Sequence, residues 1–200
     1  MEIKFQPMGT TQTNCYIVTI ENKDIIIDPG MGATEWVLDN CSNPIAILNT
    51  HGHFDHVWSN AELQEKLKVP LYIQKEDAFM LKKCPLGQCT PPSKADYLVN
   101  GDDKLTIEGI DIQYRLFAGH TPGNSIIEIE DVWFSGDFLF QQSIGRWDFP
   151  FSSGDDMVKS LEKAMKIEED FTVYPGHGMS TTLKREQMGM KQWIEIVKNS

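Results

Sequence analysis

Apolar positions near the start of the chain come in short β-like runs, EIKFQ (2–6), NCYIVTIE (14–21) and KDIIIDPG (23–30), each closed by turn residues. Three such runs so close together predict meandering antiparallel strands. From Ala33 the pattern changes to alternating units: a helix ATEWVLDN, a strand IAIL, a helix from about Val57 to Lys68, a strand LYI and a helix KEDAFMLKK. Cys84 to Gly101 is rich in Pro, Gly and Ser and lacks an apolar period, so it reads as a long surface loop, the commonest place for a lid. Strand patterns return in KLTI, DIQYRLF, SIIEIE and DVWFS. A helix around Met157 to Glu168, a strand FTVY and a helix from about Leu183 to Lys198 follow. The second half loosely echoes the first without repeating its sequence. Two β-rich layers, each with attached helices, predict an α/β (α+β) fold in which helices cover the outer faces of two facing sheets, a four-layer sandwich.

With 200 residues and no Pro/Ser/Gly-rich or highly charged linker, one domain over 1–200 is expected. The net charge of −11, with scattered lysines, leaves no basic face for a polyanion, which excludes nucleic acid as a partner. MEIKFQPMGT lacks the pattern of a signal peptide, and no apolar run is long enough to span a bilayer, so a soluble, cytoplasmic protein without a membrane partner is expected. The four cysteines do not make a disulfide framework; they read as free thiols, with Cys84 and Cys89 neither ligands nor catalytic.

One stretch changes the picture. LNTHGHFDHVWSN (48–60) holds three of the five histidines and an aspartate between His51 and His56. It follows a buried strand, so it lies at a rim. Residues two apart at a strand end point the same way, so His51 and His53 can converge on one ion, with Gly52 leaving room for the turn. Asp55 and His56 then face a neighbouring point, a spacing that suits two ions better than one. His120 in LFAGHTPGNS, His177 in TVYPGHGMS and Asp137 in VWFSGDFLF also follow apolar β runs next to glycine. A lone histidine is usually a surface or satisfied core residue; a cluster joined by three more such positions is a metal-site pattern.

On these residues the chain resembles the metallo-β-lactamase superfamily and, within it, the short glyoxalase II-like hydrolases: TNCYIV, IIIDPG, THGHFDH, GHTPGN, SGDFLF, SIGRWDFP and YPGHG occur in that family's order. The resemblance implies the αβ/βα sandwich. It also implies a first metal held by His51, His53 and His120, a second by Asp55, His56 and His177, and Asp137 bridging both. Asp28 is then either a residue orienting a ligand or simply the turn residue of DPG. Ligands of this kind, without thiolate, suit zinc, iron or manganese; two divalent ions, zinc first, are expected. Two ions acidify a shared water toward a pKa of roughly 7 and polarise the carbonyl it attacks, so hydrolysis of an activated acyl compound is the natural use. In this family Asp55 both binds metal and takes part in proton transfer, giving Asp55 and Asp137 catalytic roles.

The substrate expected from the resemblance is a small molecule, a hydroxyacyl thioester such as S-lactoylglutathione. Arg146 offers a bidentate partner for a substrate carboxylate, with Trp147, Phe149 and Trp58 as apolar wall; the competing reading is an internal Arg146–Asp148 salt bridge. Full-length glyoxalase II continues past this chain's end into a helical domain that supplies much of the glutathione site, so a weak KM or another thiol carrier is expected. An iron-dependent persulfide dioxygenase and a lactonase share most or all of the ligand set and are the rival activities. A secreted β-lactamase is set aside, because it usually lacks the bridging aspartate.

Overall fold

The computed structural model describes residues 1–82, 84, 87 and 89–200. The first sheet runs β1 (Glu2–Met8), β2 (Thr13–Ile20), β3 (Lys23–Ile27), β4 (Pro44–Leu48), β5 (Leu71–Gln74) and β6 (Tyr97–Val99), in chain order. The opening meander is antiparallel as expected: Tyr16 faces Phe5 on one side and Ile27 on the other. From β3 onward the pairing turns parallel, which requires crossovers. These are supplied by α1 (Ala33–Asn40) and α3 (Asn60–Leu67) and by a 3-10 helix, Lys75–Lys82.

The second sheet has the order β14 (Thr181–Thr182), β13 (Thr172–Pro175), β10 (Val132–Gly136), β9 (Ser125–Ile129), β8 (Ile110–Leu116), β7 (Lys104–Ile107). The helices α4 (Gly154–Ala164) and α5 (Leu183–Lys198) belong to this half. Alternation along the strands explains the layering. Ile25 and Ile27 of β3 point into a core shared with Ile112, Tyr114, Ile127 and Phe134 of the second sheet, while Ile26 between them points outward against Val37 and Leu63 of the helices. On the far side Ile126, Trp133 and Val173 pack against Leu161, Met190 and Ile194. Three apolar seams between four layers are the expected sandwich.

Several local expectations are corrected. The helix expected over Val57 to Lys68 is α3, which starts only at Asn60; a short α2 (Phe54–Val57) precedes it, and between them the Ser59 amide donates to Pro29 O (3.0 Å) and its hydroxyl to Gly30 O (2.7 Å), tying the chain to the DPG turn. The helix expected from Lys75 winds as 3-10, and its last expected residue, Lys83, lies outside the described residues. α4 starts at Gly154, ahead of its first apolar residue, because the Ser153 hydroxyl caps it by accepting from the Asp156 amide. It ends at Ala164, where Lys166 and Ile167 donate to carbonyls three residues back and tighten the turn. The Cys84–Gly101 loop contains β6, too short and too close to Pro91 and Pro92 for its sequence to show a period. Cys84 and Cys89 are joined as a disulfide, and the Gly87 amide donates to Cys84 O, so the free thiols are Cys15 and Cys41. The hairpin of β11 (Leu139–Phe140) and β12 (Ser143–Ile144) also gave no signal.

Candidate metal centre

All five histidines, with Asp55 and Asp137, converge at one end of the inter-sheet seam, on the loops that leave β4, β8, β10 and β13 and on α2. Their ligand-capable atoms fall into two groups, each within 4.8 Å: His51 with His53 and His120, and Asp55 with His56 and His177. His120 Nε2 lies 2.9 Å from His53 Nδ1. Asp137 stands between the groups, one carboxylate oxygen 3.4 Å from His56 Nε2, the other 3.4 Å from His120 Nε2 and 3.5 Å from His177 Nε2. The approach of the loops is close enough that a Cβ on Gly176 would overlap Asp137 Oδ1 and approach His56 Cε1, so only glycine fits beside His177.

Four of the five rings are aimed by a partner behind them, the exception being His53, whose Nδ1 faces His120. The Nδ1–H of His120 donates to Arg146 O (2.8 Å), that of His177 to Thr11 O (3.1 Å) and that of His56 to Asp28 Oδ2 (2.9 Å). Thr50 spends its hydroxyl hydrogen on Asp28 Oδ2 (2.6 Å) and so accepts from His51 Nδ1 (3.1 Å). With Nδ1 engaged, Nε2 of each of these four rings faces the centre and carries the lone pair when the ring is neutral. Asp28 also comes within metal-site range of His51 and His56. Its oxygens are already filled by the Thr50 amide and hydroxyl and the His56 ring, which puts it behind the ligand atoms rather than among them. Thr13 donates to Asp55 Oδ2 (2.7 Å), and Asn14 holds the His177 loop through Pro175 O and Gly178 O (both 3.0 Å).

The electrostatics divide the same way. Burial holds His51, His53 and His120 below the ordinary histidine value, His53 down to about 3, so these rings are neutral at pH 7. Burial also opposes charge on the other group, but there it is outweighed: Asp55, Asp137 and Asp28 raise His56, and hydrogen bonds to Asp137 and Asp55 raise His177 to about 10. Asp55 and Asp137 are held below the ordinary carboxylate range, burial being overcome first by His56. Buried His51 Nε2, His53 Nε2, His56 Nε2 and Asp137 Oδ1 have no hydrogen-bond partner. Buried polar atoms left unpaired cost about 1–3 kcal/mol each, and cations coordinated by His51 Nε2, His56 Nε2 and Asp137 Oδ1 would remove that cost for those three. The donor set therefore fits metal.

Arg146 meets the competing reading: it is 63% exposed, paired bidentately with Asp148 (2.8 and 2.7 Å) and stacked over Phe149 at 4.3 Å. Phe149 is the ring that reaches the histidines, its centroid 6.0 Å from His53 and 5.9 Å from His120. Trp147 lies with Arg146, Ser153 and Val197 in a cleft of about 770 Å³ that none of the clustered histidines lines, and donates to Ser200 Oγ (2.9 Å). Trp58 is half-buried at the end of α2. Sequence reasoning assigned no role to Thr13, although it lies inside the TNCY run, and passed over Thr50 and Asp77, which sit in ordinary-looking strand-end and helix patterns.

Two facing sheets flanked by helices, with a histidine–aspartate cluster on the loops at one edge, define a metal-binding α/β sandwich. Residues 8–177 match the metallo-β-lactamase superfamily, and the chain belongs to it. It is similar to the hydroxyacylglutathione hydrolase GloC of Haemophilus influenzae, 31% identical with 94% of this chain and 95% of that protein covered. Among solved structures it is similar to BLEG-1 B3 metallo-β-lactamase (TM-score 0.85, 31% identity, 94% and 97% of the two chains). It is also similar to the di-iron-bound form of TTHA1623 (TM-score 0.77, 30% identity, 90% and 94%). Proteins of this superfamily are generally metal-dependent hydrolases, typically with two divalent ions. No helix among the described residues is long and apolar enough to cross a membrane.

Proposed function

We propose that the chain is a dinuclear hydrolase of acyl thioesters, acting in the cytoplasm. His51, His53 and His120 hold one ion, Asp55, His56 and His177 the other, and Asp137 spans them. The observation that carries this reading is the position of Asp137, whose carboxylate faces both histidine groups at 3.4 Å. Zinc is the metal of choice, with iron the alternative in view of the di-iron-bound structure. When bound, two such ions supply an acidified water and a Lewis acid for the substrate carbonyl.

The chain's own residues do the rest. Asp55, kept ionised chiefly by His56 and oriented by the Thr13 hydroxyl at Oδ2, is the proton acceptor of the site. Phe149 walls the side of His53 and His120 and excludes water from the acyl group there, while Phe140 lies 6.2 Å from the His177 ring. Arg146 is exposed enough to exchange Asp148 for an anionic group on the substrate, since a surface pair of this kind is worth only about 0–1 kcal/mol. A hydroxyacyl thioester such as S-lactoylglutathione is the leading substrate, supported by the similarity to GloC. The test is thiol release from a panel that varies the thiol half of a fixed hydroxyacyl group, with lactones, a β-lactam and an oxygen-uptake assay on a persulfide run beside it. Thioester cleavage lost on chelation and restored by zinc is expected. Turnover confined to lactones or β-lactam, or oxygen consumed with persulfide by an iron-loaded sample, would overturn it.

A further inference from the structure

Asp77 belongs to none of the motifs discussed so far. It sits in the 3-10 helix after β5, fully buried, and three donors from two different loops converge on its two oxygens. The Gly52 amide (2.9 Å) and the Thr121 hydroxyl (2.6 Å) donate to Oδ2, and the Gly123 amide (2.6 Å) donates to Oδ1. Gly52 lies between His51 and His53 on the loop that leaves the first sheet; Thr121 follows His120 on the loop between β8 and β9 of the second. One carboxylate thus ties together the two loops that carry all three histidines of one group. The contact is tight: a Cβ at Gly123 would meet the Asp77 carboxyl carbon at 2.8 Å, and one at Gly52 would meet Met80 Cβ at 2.7 Å.

The other group is held by different residues. His56 is aimed by Asp28, Asp55 by Thr13 and the His177 loop by Asn14 and Thr11. None of these bonds involves Asp77.

We propose that Asp77 is the positioning residue of the His51–His53–His120 metal site and of that site alone. This rests on the two-ion reading above. The residue type follows from the donor count: three donors need two acceptor oxygens, and a carboxamide offers one oxygen and an N–H pair, so Asn must turn an N–H toward a donor. Burial pushes the Asp77 carboxyl up to about 6 against the pull of its three hydrogen bonds, so it is ionised at neutral pH and above. Partners standing behind metal ligands change affinity by about 10–100-fold when they are lost.

The experiment is a zinc titration against a competing chelator, on wild type and Asp77→Asn. His53→Ala and His177→Ala, expected to hold one ion each, assign the two binding steps. With Asp77→Asn added, zinc affinity should fall about 10–100-fold in the His177→Ala background, where the three-histidine site is left, and change by less than about threefold in the His53→Ala background. Thr121→Val keeps the bonds to Gly52 and Gly123 and should weaken the same step by a smaller factor, which keeps the proposal testable if Asp77→Asn folds poorly. Equal weakening of both steps would mean general destabilisation and overturn the proposal. So would unchanged affinity at the three-histidine site. A wild-type chain that takes up one ion would instead overturn the two-ion reading, and this assignment with it.

Discussion

Replacing Asp28 measures how much the aim of one ligand is worth. Its carboxylate is 2% exposed and accepts from the Thr50 amide (2.8 Å), the Thr50 hydroxyl (2.6 Å) and the His56 ring (2.9 Å). Asn keeps one oxygen and turns an N–H pair toward at least one buried donor, a loss of about 1–3 kcal/mol. The backbone adds little, because Asp28 has φ 49° and Asn tolerates the left-handed region. Ala removes every acceptor: three donors at about 1 kcal/mol each, the low end, plus about 1 kcal/mol for a left-handed alanine, give about 4 kcal/mol or more. That is a large share of the roughly 5–15 kcal/mol holding a domain folded, so Asp28→Ala should accumulate poorly. Asp28→Asn should fold and lose about 10–100-fold in zinc affinity at the step assigned to His56. Urea denaturation of the metal-free protein and chelator-competition titration read the two effects separately. An Asn variant within about 0.5 kcal/mol of wild-type stability and within about threefold in zinc affinity would refute the orienting role.

Arg146→Ala should raise KM for thioesters with an anionic group and leave kcat close to wild type, because a remote contact contributes equally to ground and transition states; a fall in kcat for every substrate would point to a different role. Asp137→Ala should abolish turnover of all of them. His177, raised to about 10 by its carboxylate neighbours, stabilises the metal-free fold fully below about pH 6.5, and that contribution is lost as pH rises through 10. Wild type should therefore lose stability relative to His177→Gln between pH 6.5 and 10 in urea denaturation with chelator, and a pH-independent difference would contradict the pairing. Serine at both Cys84 and Cys89 should leave hydrolysis close to wild type; a drop beyond about tenfold, a barrier change above about 1.4 kcal/mol, would tie the disulfide to catalysis.

Features repeated along the sequence were readable, and those created by long-range contacts were not. The continuous β-branched run in KDIII and the apolar face of ATEWVLDN are local, and the strand and helix they indicate appear with nearly the expected bounds. The histidine–aspartate cluster was legible because its residue types are uncommon and sit beside glycines at the ends of apolar runs. Asp77 and Thr13 are ordinary residue types, and only folding brings their oxygens to the ligand loops. Ser59 breaks a helical pattern through a bond to Gly30, twenty-nine residues away. The Arg146 side chain drew attention for its charge, whereas its backbone carbonyl makes the contact with His120.

The most direct test of the central claim is the metal content of the purified chain, measured by elemental analysis after reconstitution and removal of excess ion. Two groups of ligands sharing Asp137 predict two ions per chain, falling to one in His56→Ala or His177→Ala with loss of hydrolysis. One ion per chain, with those two variants retaining both it and full activity, would contradict the account.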